Sequence, residues 1–181
     1  MVTNDPDLAE RVRLLRNHGS ASKYEHRMPA YNFRMEGLQG AFLATKLKHL
    51  DEWNERRRAI ARLYDGLLEN SGIVIPTEMP YSGHVYHLYV IQADDRDYVR
   101  QQLVLREVEN GLHYPIPLHL QEAYRSLGYR AGDFPVSERL ARRILSLPIY
   151  PELPAEAAEY VVSALLEAIQ CPLTEVSKTN T

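Results

Sequence analysis

Apolar residues recur at helical spacing in the first part of the chain and group into shorter runs in the second part. The first helical stretch follows Asp5-Pro6, where the aspartate suits a helix cap and the proline suits the first turn. Its apolar face consists of Leu8, Val12 and Leu15. Gly19 is a suitable stop, and Val2-Thr3 resembles the end of a strand. The pattern predicts a helix over residues 5–19 in a chain that begins in mid-structure.

The strongest helical pattern covers residues 35–69. Its apolar face is formed by Leu43, Leu47, Leu50, Trp53, Ile60, Tyr64 and Leu67. No proline interrupts it, and one helix at about 1.5 Å per residue would reach about 50 Å. A helix of that length suits a link between two domains or subunits. The preceding residues 20–34 are polar and aromatic without a steady period, which is typical of a functional or disordered connection.

Shorter elements alternate after Ser71-Gly72. Predicted strands cover residues 73–75, 85–92, 107–113 and 144–149, and predicted helices cover residues 94–106, 135–142 and 154–169. This alternation indicates a small α/β domain. The residues from 174 onward are polar, and we expect a flexible tail there.

Composition indicates an ordinary globular protein. Of its 181 residues, 45% are hydrophobic and 25% are charged, and the net charge of −3 does not favour nucleic acid or an anionic membrane as a partner. The basic run at residues 56–58 follows three acidic residues closely, which predicts a solvated helix face. Cys171 is the single cysteine and has no intramolecular partner for a disulfide.

The sequence also predicts a cytoplasmic location. No window approaches the roughly 18 apolar residues of a membrane span. The N-terminal residues are charged almost at once and lack the apolar stretch of a signal peptide.

Four strings, in register and covering most of the chain, resemble one family. They are VTNDPDLAERVRLLRNHG at 2–19, YNFRMEGLQGAFLATKLKHLDEWNERRRAIARLY at 31–64, VYHLYVIQADDRD at 85–97, and HYPIPLHLQEAYRSLGYRAGDFPVSERLARRILSLPIYPELP at 113–154. Together they are similar to the DegT/DnrJ/EryC1/StrS sugar aminotransferases, which depend on pyridoxal 5′-phosphate (PLP).

The resemblance implies an α/β fold: the small C-terminal domain of the aspartate-aminotransferase-like (fold type I) architecture, with a long linking helix and a short, mostly antiparallel sheet. It divides the chain into a remnant of the PLP-binding domain and an interface loop (1–34), the linking helix (35–70), the small domain (71–173) and the tail (174–181). It also implies a homodimer, or a complement to the large domain, with a nucleotide-sugar and an amino-acid donor as substrates.

The family's Schiff-base lysine lies upstream of the string in which this chain begins. None of Lys23, Lys46, Lys48 and Lys178 matches the lysine motif. PLP transamination needs that amine for attachment and proton transfer. The chain is therefore expected to be the C-terminal part of a transaminase acting on a keto-sugar nucleotide, inactive alone. The alternative is a non-catalytic remnant that serves in dimerisation or binding.

The resemblance also supplies candidate site residues. Asn32 matches the asparagine that reaches the cofactor phosphate of the partner subunit. For Arg34 two roles stay open, a phosphate contact or a cap for the long helix. His113 and Tyr114 lie in HYPIPLH, which lines the substrate side of the cleft in the family. His119 in the same string is also a substrate candidate, although a structural role is favoured.

Other histidines have weaker assignments. No cysteine or acidic cluster stands at ligand spacing from His113 and His119, so no metal site is predicted. His18 and His26 are minor candidates for the cofactor pocket, and His87 is expected to be a core or strand residue. Glu107 replaces a helix-ending glycine of the relatives, so the sequence predicts a turn without a left-handed cap there.

Overall fold

The computed structural model describes residues 2–170, and these form two compact units that divide after Leu50. The predicted tail from residue 174 and Cys171 lie outside the described residues. The predicted domain limits at 34/35 and 70/71 remain predictions. No helix among residues 2–170 is long and apolar enough to cross a bilayer.

The first unit begins with helix α1 (Pro6–Arg16). Asp5 caps it, because its Oδ1 accepts the backbone N–H groups of Asp7 and Leu8 at 2.9 and 3.1 Å. Gly19 follows with φ of 68°, and its N–H donates to Leu14 O at 2.8 Å. The predicted helix start and stop therefore correspond to a real cap and a real C-terminal turn.

The connection after α1 is an ordered hairpin. Strands β1 (Ser20–Ser22) and β2 (Glu25–His26) pair antiparallel, and Arg27 N donates to Gly19 O at 2.8 Å. Helix α2 (Gly37–Leu47) completes the unit. This pairing rules out the disordered alternative for residues 20–27, and a functional role of the connection remains a prediction.

The first unit has almost no core of its own. Among residues 2–50, only Gly19 is buried. The apolar residues of α2 and of the segment before it are instead exposed: Tyr31, Phe33, Met35, Leu38, Phe42, Leu43 and Leu47. This surface, called here the α2 face, is larger than scattered single apolar residues would explain.

The prediction of one continuous helix over residues 35–69 is wrong. The structure has α2 and a second helix, α3 (Leu50–Leu68), separated at Lys48-His49. His49 N donates to Lys46 O at 3.0 Å, three residues back, so the ladder of α-helical hydrogen bonds tightens and stops there. Neither glycine nor proline marks this break, and the apolar spacing continues across it.

The second unit has helices on a two-stranded sheet. Strands β3 (Tyr89–Gln92) and β4 (Ile144–Leu147) pair antiparallel, with Tyr89 opposite Leu147 and Gln92 opposite Ile144. Helices α4 (Arg96–Leu105), α5 (Pro135–Arg143) and α6 (Ala155–Gln170) complete it, with two 3₁₀ helices at Leu118–Leu120 and Glu122–Leu127. The predicted strand over 107–113 is wrong, because only Gly111 forms a bridge, to Ser146.

The core of this unit lies between α3, the sheet, α4 and α6. Its largest fully buried side chains are Tyr64, Tyr89, Ile91, Leu103, Leu145 and Leu165. Both buried tyrosines keep a partner for the hydroxyl: Tyr64 donates to Pro148 O at 2.8 Å and Tyr89 donates to Asp65 Oδ1 at 2.6 Å. Burial raises the pKa of both phenols above the ordinary value, so they stay neutral hydrogen-bond donors.

Helix α4 ends with a left-handed residue after all. Glu107 has φ of 59°, Glu107 N donates to Val104 O at 3.0 Å, and Val108 N donates to Leu103 O at 2.9 Å. This is the Schellman pattern, with Val108 and Leu103 both buried beneath the turn. The expectation that glutamate excludes such a cap is wrong, because the paired bonds and the apolar contact hold it in the strained conformation.

Candidate functional site

In the first unit, the segment that carries Asn32 is fixed against the end of α1. Tyr31 N donates to Leu15 O at 2.9 Å, His18 N donates to Tyr31 O at 2.8 Å, and Phe33 N donates to Arg16 O at 2.9 Å. Asn32 forms an antiparallel bridge with Asn17 and is exposed. The backbone around this amide is therefore ordered while its side chain remains accessible.

Arg34 is tied to the same place by its side chain. Its Nε donates to Asn17 Oδ1 at 2.8 Å. The start of α2 is served by other residues, since Glu36 N donates to Gln39 Oε1 at 2.9 Å. The geometry therefore does not support the helix-capping alternative for Arg34. Asn32 and Arg34 together place an amide and a guanidinium, both suited to phosphate oxygens, on one short segment.

His18 and His26 belong to the hairpin. His26 Nδ1 lies 2.8 Å from His18 O and 3.2 Å from Ser20 Oγ, so the imidazole ties together the open end of the hairpin, opposite its turn. His18 itself has φ of 55° and is exposed. The described contacts give His26 a structural position and leave any cofactor contact for either residue a prediction.

In the second unit, the His113 imidazole is held on three sides. Its Nδ1 lies 2.9 Å from Ser146 Oγ, and its ring meets the Tyr114 ring edge-on with centroids 5.5 Å apart. The ring also crosses over Gly111, where an added Cβ would lie 2.5 Å from His113 Cε1. His113 lines a groove of about 290 Å³, called here the histidine groove, with His87, Asn110, Ser146 and Tyr150 among its walls.

Tyr114 opens onto a larger and more apolar groove of about 660 Å³. Residues 114–119 form one wall, and Phe134, Leu140 and Ile144 contribute to the rest. The Tyr114 side chain is exposed, so its hydroxyl is available to a ligand. The structure thus places HYPIPLH beside two neighbouring grooves of one unit.

His119 points inward. Its Nε2 lies 3.0 Å from Glu138 Oε1, and both side chains are nearly buried. The same carboxylate oxygen accepts Gly132 N at 2.8 Å and Phe134 N at 3.4 Å. The Gly132 hydrogen bond, followed by that of His119, holds the pKa of Glu138 below its usual value. This arrangement ties the segment before α5 together and gives His119 a structural contact.

Two other residues are placed differently from the sequence reading. His87 is exposed and lies before β3, so its assignment as a core or strand residue is wrong. Arg57 is not part of a solvated face. It is half-buried, and its Nη1 donates to Ile149 O at 2.8 Å and to Tyr86 O and His87 O at 3.3 and 3.4 Å.

Sequence reasoning did not single out Ser146 or Arg57. Ser146 is 4% exposed and sits between apolar residues in a strand, where serine carries no distinctive pattern. Arg57 could not be distinguished in the sequence from its two arginine neighbours, which form ion pairs with Glu52, Glu55 and Glu78. Residues 2–170 contain no group of three or more His, Cys, Asp or Glu side chains placed to hold a metal ion.

The second unit therefore has the helix-covered small sheet of a fold type I C-terminal domain, and both units present ordered polar groups on short segments. The sequence profile of the DegT/DnrJ/EryC1/StrS aminotransferase family matches residues 1–166. The chain belongs to that family, as its sequence strings predicted, and the family is PLP-dependent.

Two curated relatives illustrate the match. The chain is 46% identical over 166 residues to the erythromycin biosynthesis sensory transduction protein EryC1 of Saccharopolyspora erythraea, covering 91% of this chain and 45% of the relative. It is 42% identical over 168 residues to the dTDP-3-amino-3,4,6-trideoxy-alpha-D-glucose transaminase of Streptomyces venezuelae, covering 92% and 44%. The chain thus spans about half the length of the curated relatives it matches.

The fold agrees with a solved relative. The structure of Streptomyces venezuelae DesV in complex with a ketimine intermediate superposes with a TM-score of 0.89 at 41% identity, over 94% of this chain and 46% of that one. An aminotransferase of the same family from Brucella abortus gives 0.86 at 30% identity. The predicted fold class, a C-terminal portion of a fold type I PLP aminotransferase, is confirmed.

Proposed function

We propose that this chain is the C-terminal part of a PLP-dependent transaminase that transfers an amino group from an amino acid to a keto-sugar nucleotide. The observation that carries the proposal is the similarity to a dTDP-amino-sugar transaminase along nearly the whole chain. The ordered segments bearing Asn32 and His113 support it. We further propose a cytoplasmic location.

The residues present suit part of the cofactor's surroundings. The exposed Asn32 amide and the Arg34 guanidinium are donors suited to a phosphate, and we assign them that role. When bound, PLP supplies an electron sink that stabilises negative charge at the substrate carbon. His113 and Tyr114 would hold and orient the sugar in the grooves they line.

We also propose that no lysine among the described residues attaches to the cofactor. Lys23 is exposed, with its Nζ 5.1 Å from the centre of the Tyr24 ring, and Lys46 and Lys48 lie at the exposed end of α2. We therefore propose that the reacting amine belongs to the half of the relatives' length that these 181 residues do not match, and that this chain alone does not catalyse transfer.

The α2 face supports a further part of the proposal, namely that this chain works as one component of a larger assembly. A stretch of nearly 50 residues with a single buried residue does not remove enough apolar surface from water to be stable alone. We propose that the complementary large domain, and a second copy in a dimer, cover it. Without catalysis, the same surface would still serve the alternative function of a binding or dimerisation domain.

Complementation tests the proposal. The chain is mixed with a polypeptide that covers the unmatched half of the Streptomyces venezuelae transaminase, and association and amino transfer to a dTDP-keto-sugar are measured. We expect association and PLP-dependent transfer by the mixture and none by either part. Association without transfer would favour the binding-domain alternative. A chain that stays monomeric and does not bind the added half would contradict both the transaminase proposal and this alternative.

Variants identify the surfaces involved. Phe42→Ser, on the α2 face, is expected to weaken association at least about 10-fold, since burying one large apolar side chain contributes about 1.5–3 kcal/mol. Ser163→Ala, on the exposed side of α6, is the control and leaves association unchanged. Equal weakening by both variants would contradict the assignment of the α2 face.

A further inference from the structure

The imidazole of His113 has a buried polar neighbour, the hydroxyl of Ser146. Ser146 Oγ lies 2.9 Å from Nδ1, and Ser146 is one of the two buried polar residues among those described. The backbone of Ser146 is already used, because its N–H donates to Gly111 O at 2.8 Å and its C=O accepts Gly111 N at 3.1 Å. The hydroxyl therefore has a fixed position beside the ring.

The direction of this hydrogen bond follows from the requirement that the buried Ser146 hydroxyl hydrogen has an acceptor. If Nδ1–H donated to Oγ, the buried hydroxyl hydrogen would need an acceptor elsewhere, and the contacts within residues 2–170 show none for it. A buried donor without an acceptor is costly. If the hydroxyl donates to Nδ1, its hydrogen is satisfied and Nδ1 must be unprotonated. The neutral imidazole then carries its proton on Nε2.

We infer that Ser146 is a positioning residue that fixes His113 as the Nε2–H tautomer, so that His113 offers a hydrogen-bond donor to the histidine groove. The ring cannot turn freely to exchange its nitrogens, because it lies against Gly111 on one side and Tyr114 on another. Nε2 has no hydrogen-bond partner among the described residues, and a donor there suits a carbonyl, hydroxyl or phosphate oxygen. The nature of the ligand rests on the proposed function, in which it is an oxygen of the keto-sugar nucleotide.

Nitrogen NMR of the ¹⁵N-histidine-labelled chain tests the tautomer without any ligand or cofactor. The spectrum is recorded at a pH where the imidazole is neutral, and His113 is identified among the seven histidines by its loss in His113→Gln. We expect Nδ1 to give the signal of an unprotonated nitrogen and Nε2 that of a protonated one. A protonated Nδ1 in the unaltered chain would overturn the inference, and the reading requires only that His113→Gln folds well enough to assign the signal.

Variants then test the role of Ser146. Ser146→Ala should reduce the preference to that of a free neutral imidazole, in which a minor Nδ1–H form is populated, whereas Ser163→Ala should leave the His113 signals unchanged. A full Nε2–H preference in folded Ser146→Ala would overturn the role of Ser146. Ser146→Cys keeps a similar size with a weaker donor, and we expect an intermediate preference.

The ligand contact is tested separately in the complemented complex by titration with a dTDP-sugar. His113→Gln retains an N–H donor and should bind within about 3-fold of the unaltered complex, whereas His113→Leu should bind up to about 10-fold more weakly. Equal affinities, with the tautomer as expected, would remove the sugar contact from the proposed function and leave the fixed tautomer standing. A protonated Nδ1 together with reduced affinity in His113→Leu would overturn the fixed tautomer and leave the sugar contact standing.

Discussion

At the scale of single residues, Arg57 joins segments that are distant in sequence. Its guanidinium donates to carbonyl groups at residues 86, 87 and 149, and the last two residues line the histidine groove. A charged donor to carbonyl groups in a half-buried position contributes more than a surface ion pair. Arg57 therefore stabilises the walls of the groove as well as the core behind it.

We predict that Arg57→Ala lowers the free energy of unfolding of the second unit by about 2–3 kcal/mol, because three carbonyl groups lose their donor. Arg56→Ala is the matched control on the same helix. Arg56 is exposed and pairs with Glu52, so its loss should cost less than about 1 kcal/mol. Urea unfolding followed by circular dichroism measures both, and equal effects would contradict the structural role of Arg57.

Glu107 stands in a conformation that glycine adopts more readily. Its φ of 59° places the Cβ close to the backbone, while its backbone N–H completes the cap of α4. Glu107→Gly is predicted to raise the free energy of unfolding by about 1 kcal/mol. Glu109→Gly, two residues further, lacks this strain and should lower stability. Thermal unfolding of the two variants compares them, and destabilisation by both would refute the assignment.

At the scale of elements, the hairpin that precedes the Asn32 segment depends on Gly19. A Cβ at this position would lie 2.0 Å from Met28 O, and the φ of 68° already disfavours other residues. We predict that Gly19→Ala detaches the segment from α1 by removing the bonds made around it. Loss of this turn should lower the free energy of local opening by more than about 1.4 kcal/mol. Amide hydrogen exchange at Arg27 and Tyr31 should then accelerate at least about 10-fold.

Gly66→Ala provides the control for that variant. Gly66 lies within α3, and a Cβ there would meet nothing within 4 Å. Alanine should stabilise α3 by up to about 1 kcal/mol and leave exchange at Arg27 unchanged. Unaltered exchange in Gly19→Ala would show that Gly19 does not hold the hairpin.

The segment before α5 should be sensitive to acid. Hydrogen bonds from Gly132 and His119 lower the pKa of Glu138 from its usual value of 4.5, so the folded state favours the ionised carboxylate. This contribution to stability is present above about pH 4.5 and is lost as the pH falls through the lower folded-state pKa. Unfolding at a series of pH values should show this loss, and Glu138→Gln should flatten it. The same slope in Glu138→Gln would assign it to other groups.

Local sequence signals predicted the elements that depend on local chemistry. The predicted cap at Asp5 marks the start of α1, and the predicted helices over 94–106 and 135–142 correspond to α4 and α5. The break at Lys48-His49 and the loss of the strand at 107–113 depend on hydrogen bonds and packing that local patterns do not show. Local patterns therefore predicted helix starts correctly, but they failed for the left-handed cap at Glu107 and for the continuity of elements.

The candidate site was predictable only in part. The string HYPIPLH pointed to His113 and Tyr114, but the sequence could not show that Ser146, 33 residues later, meets the imidazole. The sequence also predicted the wrong environment for His87, because the apolar pattern begins at residue 85, before β3 starts at Tyr89. Contacts between residues far apart in sequence are set by tertiary packing, which a single sequence does not display.

At the scale of the whole molecule, the two units differ in how complete they are. The second unit has a continuous core from α3 to α6, whereas the first has ordered backbone and an uncovered apolar face. The family match extends over residues 1–166 and about half of each relative is covered, which is consistent with the proposal that the unmatched half covers this face. We propose that the chain supplies groups that bind phosphate and sugar, and that the reacting lysine lies in the unmatched half.

Borohydride reduction in the presence of PLP shows whether a lysine of this chain forms a Schiff base with the cofactor. The purified chain is incubated with PLP, reduced, digested and mapped by mass spectrometry, and its visible absorbance is recorded before reduction. We predict no specific absorbance band of a PLP Schiff base. Pyridoxyl labelling should be sparse and spread over Lys23, Lys46, Lys48 and Lys178. A clear band, with near-stoichiometric pyridoxyl labelling of one of these lysines, would contradict this prediction.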